Sequence, residues 1–164
     1  MLFKNSLFDE ETGAFRHPVF DFFLNWEIRR SFRYRNFVSL VMLEPNIKLQ
    51  SKQTLRELMH LITKNIRDTD VVGRLNGYYR FGIILLASDL DGAYIMAERL
   101  LNHINNYVFK EEPQKTLSIS IGGACFPTNG IEKEMVYKLA EEMLNKAKQK
   151  KKKNKMCFPH FETS

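Results

Sequence analysis

The pair Asn76-Gly77 limits what this chain can fold into more than any other feature. It sits between Val71-Val72 and the run Tyr79 to Ala87. Asn-Gly between apolar runs is the strongest short signal for a tight β-hairpin, because both residues tolerate positive φ. The hairpin fixes one antiparallel strand pair in the middle of the chain, and the remaining elements must be arranged around it.

Apolar spacing supplies those elements. Phe20, Phe23, Leu24, Ile28 and Phe32 recur at helical intervals, which predicts a leading helix over about 19–35. Phe37 to Leu43 is a short run of strand formers, ended by Glu44-Pro45-Asn46. Leu55, Leu58, Met59, Leu61 and Ile62 form the stripe of a helix extending to Ile66. Ala93, Met96, Ala97, Leu100, Ile104 and Tyr107 form the stripe of another, from Asp89 to Val108. Thr116 to Phe126 alternates like a strand, Met135 to Lys148 reads as a helix, and Met156 to Phe161 as a short final strand.

Without the leading helix the order is β-α-β-β-α-β, then a helix and an edge strand. That order predicts an α+β fold: a ferredoxin-like split βαβ palm, mainly antiparallel, with helices on one face. No internal repeat or linker interrupts the 164 residues, so 1–164 reads as one domain.

Composition narrows the function. A net charge of +6 favours anionic partners, and much of it lies in a Lys-rich segment at about 146–155. Cys125 and Cys157 offer neither a disulfide framework nor metal spacing, and the four His are scattered. No resident metal or other cofactor is expected. The longest apolar run, Phe81 to Ala87, is too short to span a membrane. No charged leader opens the chain, so a cytoplasmic location is expected.

Ahead of the turn stands Arg67-x-x-Asp70, and the turn itself reads Asn76-Gly77-Tyr78-Tyr79-Arg80-Phe81. This arrangement resembles the GGDEF family of diguanylate cyclases, where Arg-x-x-Asp precedes a Gly-Gly-Asp/Glu-Glu-Phe hairpin. The resemblance extends along the chain. Asp9-x-x-Thr12-Gly13 is similar to the family's D-x-L-T-G opening, with Glu11 in place of the Leu. Leu117 to Gly122 resembles the T/V-S-I-G strand, and Ala140 to Lys148 the late A-D-x-A-L-Y-x-A-K helix.

The acidic motifs depart from the family pattern. Cyclases hold two divalent ions and GTP phosphates with carboxylates at the strand ends. Here the first acidic motif reads Glu44-Pro45-Asn46, and the guanine-reading stretch after it is largely missing. Counted back from Phe81, Tyr79-Arg80 replace the acids; counted from Gly77, Tyr78-Tyr79 do. Neither register supplies a carboxylate, and Arg80 is electrostatically unsuited to neighbour divalent ions. The expectation is a protein without cyclase activity.

The family's inhibitory site fares better. It binds cyclic di-GMP through Arg-x-x-Asp and an Arg on the helix after the hairpin. Here Ala97-Glu98-Arg99 supplies that Arg, so the resemblance implies a cyclic di-GMP site of Arg67, Asp70 and Arg99. A guanidinium can donate two hydrogen bonds to guanine O6 and N7, and a carboxylate can accept from N1–H and the amine. Lys148 and Lys153 stand where cyclases contact nucleotide phosphates.

The leading expectation is therefore a cyclic di-GMP receptor acting through a protein partner or a homodimer, with no DNA partner. Three alternatives stay open. One is a ligand-independent interaction module with vestigial sites. Another is residual GTP binding through Glu44, Lys148 and Lys153. The third is RNA binding on sheet aromatics around Tyr79 and Phe81. Isolated readings also exist for each site residue: Arg67 suits a helix C-terminus, Asp70 suits a turn, and the Lys run suits a solvated helix end.

Overall fold

The first strand, β1 (Val38–Pro45), is buried at every position and lies at the centre of the sheet. It presents apolar side chains to both faces: Leu40 and Met42 to one, Val41 and Leu43 to the other. A strand of this kind needs cover on both sides. The rest of the fold follows from that need. The structure, a computed structural model, describes residues 7–46, 51–77, 79–113, 117–151 and 155–161.

The elements follow the order α1 (His17–Tyr34), β1, α2 (Lys52–Lys64), β2 (Val71–Arg74), β3 (Phe81–Leu86), α3 (Leu90–Asn106), β4 (Ile119–Phe126), α4 (Lys133–Lys148) and β5 (Lys155–Cys157). The sheet order is β2-β3-β1-β4-β5. Every neighbouring pair is antiparallel except β4 with β5. The expected hairpin joins β2 to β3, with Gly73 opposite Gly82 and Arg74 opposite Phe81.

The two crossover helices, α2 and α3, pack on one face as the split βαβ order predicts, over Val41, Leu43, Ile83 and Ile121. The one-faced expectation does not extend to the other two. Helices α1 and α4 cover the opposite face, over Leu40, Met42, Ile84 and Ala124. The reason is visible in Phe37 to Leu43, which is apolar at every position but Ser39 rather than alternating. Boundaries moved too: α1 begins at His17 rather than near Val19, and β4 begins at Ile119.

Missing side chains seat the second layer. A Cβ at Gly73 would meet Phe20 of α1 at 2.4 Å, and one at Gly82 would meet it at 2.6 Å. The glycine pair on β2 and β3 thus forms the slot for Phe20. On β4 a Cβ at Gly122 would lie 2.1 Å from the Leu144 backbone nitrogen, so α4 rests directly on the strand. This close seating brings the C-terminal half of α4 beside the end of β1.

The two crossover helices carry side-chain caps at their starts, whereas Arg16 before α1 and Glu132 before α4 make none. Ser51 Oγ accepts from Gln53 N at 3.0 Å and Thr54 N at 3.3 Å, and Asp89 Oδ1 accepts from Gly92 N at 2.8 Å. The Asp9-x-x-Thr12-Gly13 opening closes a turn of its own. Asp9 Oδ2 accepts from Thr12 N and Oγ1, and Arg74 Nη1 reaches it from β2 at 3.0 Å. Burial pushes the Asp9 carboxyl up, but the bonds from Thr12 and Arg74 outweigh it and hold the group below its ordinary value.

Candidate nucleotide site

Strand β3 connects two chemically different ends. At its Leu86 end lies the Arg-x-x-Asp turn, and at its Phe81 end lies the hairpin turn. Five residue steps of extended chain separate them, roughly 17 Å.

At the first end, helix α2 stops at Lys64, and Asn65 caps it with its Nδ2 donating to Leu61 O at 2.7 Å. The chain then turns through Arg67 to Asp70 into β2, with Asp70 N donating to Arg67 O at 2.9 Å. The Asp70 carboxylate is enclosed. Oδ2 accepts from Arg67 N at 2.9 Å and Arg67 Nε at 3.3 Å. Oδ1 accepts from Leu86 N at 3.1 Å and Arg67 Nη2 at 3.4 Å. Its side chain is 1% exposed, against 57% for Arg67. The expectation of an exposed Asp70 reading guanine is therefore corrected. Its oxygens are consumed by the turn and by Arg67, which it holds in place.

Arg67 also donates to Leu86 O, so its guanidinium is anchored by one edge. Arg99 arrives from α3 and grips the same turn: Nε donates to Asn65 Oδ1 at 3.2 Å and Nη2 to Asn65 O at 2.8 Å. Among the described residues Nη1 of Arg67 and Nη1 of Arg99 have no hydrogen-bond partner. Arg67, Asp70 and Arg99 line one open cavity of about 330 Å³, with Asn65, Ser88 and Met96. The three residues chosen from sequence thus converge. Asn65 was missed, and its only sequence signal was a polar residue near the end of the expected helix, three positions past Ile62.

At the second end Leu75 N donates to Arg80 O at 2.8 Å and closes the turn. Gly77 has φ 121° and Tyr79 φ 49°, the positive values that a tight reversal asks for. Asn76 and Gly77 are exposed, Phe81 is fully buried, and Tyr78 lies outside the described residues. The Arg74 guanidinium lies 4.9 Å from the centre of the Tyr79 ring. Phe81 is core and Tyr79 packs on it, so neither offers the open stacking face that RNA binding needs.

Arg80 folds inward, with its side chain 13% exposed. Its Nε donates to Glu44 Oε2 at 2.9 Å and its Nη1 to Glu141 Oε2 at 2.8 Å. Lys148 Nζ takes the other Glu44 oxygen at 3.0 Å. Lys148 therefore meets a carboxylate rather than standing free for phosphate, and Lys153 lies outside the described residues. Asn46 is tied to β4, donating to Ser118 Oγ at 2.9 Å and accepting from Ser120 Oγ at 2.7 Å. Glu44, with both oxygens facing cations, and Glu141, bonded to Arg80, make a poor ligand set for a pair of divalent ions. Glu141, which completes this cluster, carried no sequence signal beyond the late-helix resemblance.

Fold and site together define a nucleotidyl cyclase-like palm domain. The profile described as "Diguanylate cyclase, GGDEF domain" matches residues 49–154, well over half of the chain. The chain belongs to that family. It is 32% identical over 111 residues to YhcK of Bacillus subtilis, covering 66% of this chain and 30% of that protein. It is 30% identical over 101 residues to DgcT of Escherichia coli K12, described as a probable diguanylate cyclase, covering 59% of this chain and 22% of the relative. The matched stretch is under a third of the length of either curated relative. Among solved structures, the coiled coil and GGDEF domain of Caulobacter crescentus DgcB in complex with c-di-GMP superposes with a TM-score of 0.83. It covers 94% of this chain and 87% of that one at 14% identity, a likeness of fold.

Proposed function

We propose that this chain is a cyclic di-GMP receptor without diguanylate cyclase activity. The observation that carries the reading is the convergence of Arg67, Asp70 and Arg99 on one open cavity, with Nη1 of both guanidiniums unpartnered among the described residues. Each guanidinium suits the O6 and N7 acceptors of a guanine or the oxygens of a phosphodiester. Asp70 serves by orientation: its carboxylate holds the Arg67 guanidinium at the cavity wall. The DgcB domain, of the same fold, is bound to c-di-GMP in its crystal structure, which supports the choice of ligand.

The catalytic half of the reading rests on the second end of β3. This half is supported by Glu44 being matched by Arg80 and Lys148, by a turn without an acid, and by the described residues holding no group of three or more metal-ligating side chains. No catalytic step is derived for it. Incubation with GTP and Mg²⁺ or Mn²⁺ is expected to give no cyclic di-GMP. Turnover that disappears on Glu44→Ala would contradict this half alone. Ligand occupancy at the Arg-x-x-Asp end would be passed to a protein partner or a second copy in the cytoplasm.

The saturation of Asp70 favours a second reading. An Arg-x-x-Asp turn that satisfies itself is also what a ligand-independent interaction module would keep, for stability alone. Titration of the purified chain with cyclic di-GMP separates the two. Saturable binding that weakens on Arg67→Ala supports the receptor. No binding at high micromolar ligand supports the module.

A further inference from the structure

Helix α1 buries Phe20, Leu24, Ile28 and Ser31 against the sheet. On the opposite side Phe22, Trp26, Arg29 and Arg33 follow one another at steps of four, three and four, so they form one outward stripe. Phe22 is 64% exposed and Trp26 57%. Their rings stack at 6.3 Å, 17° from parallel, and make a continuous aromatic ledge. Exposed Tyr34 lies under the Arg33 guanidinium, which is 5.7 Å from its ring centre, and exposed Arg30 flanks the stripe. An apolar surface of this kind, unpartnered in a monomer, marks an interaction site.

We propose that this face of α1 docks the protein onto an anionic lipid surface. Charge complementarity argues for it. Of the two acids on the helix, Asp21 is turned to Lys133 at 2.6 Å, and Glu27 sits beside Arg30 at 3.7 Å. Among the described residues no carboxylate pairs with Arg29, Arg33 or Arg35. Aromatic rings and guanidiniums are the two side-chain types that settle at a bilayer interface: the rings lie at headgroup level and the cations meet lipid phosphates while staying hydrated. No described helix is long and apolar enough to cross a membrane, so the contact is peripheral.

The shape and the charge disfavour other occupants. Single-stranded nucleic acid follows a basic groove, whereas this face is a convex ridge. A second copy seated here would bury a cluster of guanidiniums against two carboxylates per helix that already face Lys133 and Arg30, at a large desolvation cost. A planar anionic surface needs neither a groove nor that burial.

Trp26 is the chain's single tryptophan, so intrinsic fluorescence reads this face directly. The experiment titrates the full chain with vesicles of phosphatidylcholine containing phosphatidylglycerol, and with pure phosphatidylcholine. Binding to the anionic vesicles with a blue shift of Trp26, weakened by salt, is expected. The neutral vesicles are expected to leave the emission unchanged. The double variant R29E/R33E, built on exposed positions, is expected to lower the partition coefficient at least about tenfold. Phe22→Ser keeps the charge and lowers it less.

Three results would overturn the proposal. One is an unchanged emission with anionic vesicles. Another is binding that survives R29E/R33E and so comes from the Lys-rich C-terminal segment. The third is a lipid-free blue shift that grows with protein concentration and so reports a second copy. None of these depends on whether cyclic di-GMP binds.

Discussion

The two ends of β3 use the same pair of chemical groups and reach opposite outcomes. At the Leu86 end a guanidinium meets a carboxylate, and the guanidinium remains more than half exposed. At the Phe81 end a guanidinium meets a carboxylate, and both are largely withdrawn from solvent, with a lysine and a second acid closing the cluster. The first arrangement keeps hydrogen-bonding capacity in reserve for an incoming anion or base. The second spends that capacity internally. Whether an ion pair binds ligand or serves the fold therefore depends on which partner is covered, more than on which residues take part.

The largest expected effect lies at the closed end. Glu44→Ala leaves Arg80 and Lys148 without their shared acid in a poorly solvated place. It should cost about 3 kcal/mol of unfolding free energy by urea titration. Arg80→Ala should cost less, because Lys148 still neutralises Glu44. If both changes proved neutral, the cluster would be a surface pair and the contrast between the ends would fail.

Asp70→Asn comes next. The amide keeps one acceptor but turns donors towards Arg67 N or Leu86 N, so roughly 1–3 kcal/mol of stability should be lost. Arg67→Ala should cost about 1 kcal/mol or less, since its side chain is largely solvated. The order sharpens the comparison: at the open end the acid carries the structure, and the proposed ligand would fall to the base. Equal stability losses, measured by the same titration, would erase that division of roles.

The smallest effect concerns pH. Asp9 is held below its ordinary value in the folded chain, so its contribution is present above the unfolded carboxylate value and is lost as pH falls through the lower folded value. Asp9→Asn should flatten the acid limb of a stability–pH profile below about pH 4, with little change near neutrality beyond a constant offset. A profile whose acid limb is unaltered would mean that Arg74 and Thr12 do not tie the opening turn to β2.

Much of this molecule was legible in its sequence. Asn76-Gly77 placed the hairpin, the apolar stripes placed the helices, and five short motifs in order indicated the family. Arg67, Asp70 and Arg99 could be named together although α2 and α3 are far apart in the chain. Burial was not legible. Asp70 was expected in solvent because short polar residues in turns usually are, and only the fold shows Leu86 N reaching it across β3. The second helical layer has a simpler signal than element order. Val38 to Leu43 has no polar alternation beyond Ser39, so it must be covered twice. The partners of Arg80 were equally hidden, since Glu44 and Glu141 approach it only once Gly122 lets α4 rest on β4.

The central claim, that one end of β3 binds nucleotide and the other does not, is tested most directly by calorimetric titration with cyclic di-GMP of the wild-type chain, Arg67→Ala and Arg80→Ala. The account predicts saturable wild-type binding, a loss of about 1.5–3 kcal/mol or roughly ten- to a hundredfold for Arg67→Ala, and little change in affinity for Arg80→Ala. No heat of binding at high micromolar ligand, or an Arg80→Ala loss as large as that of Arg67→Ala, would contradict it.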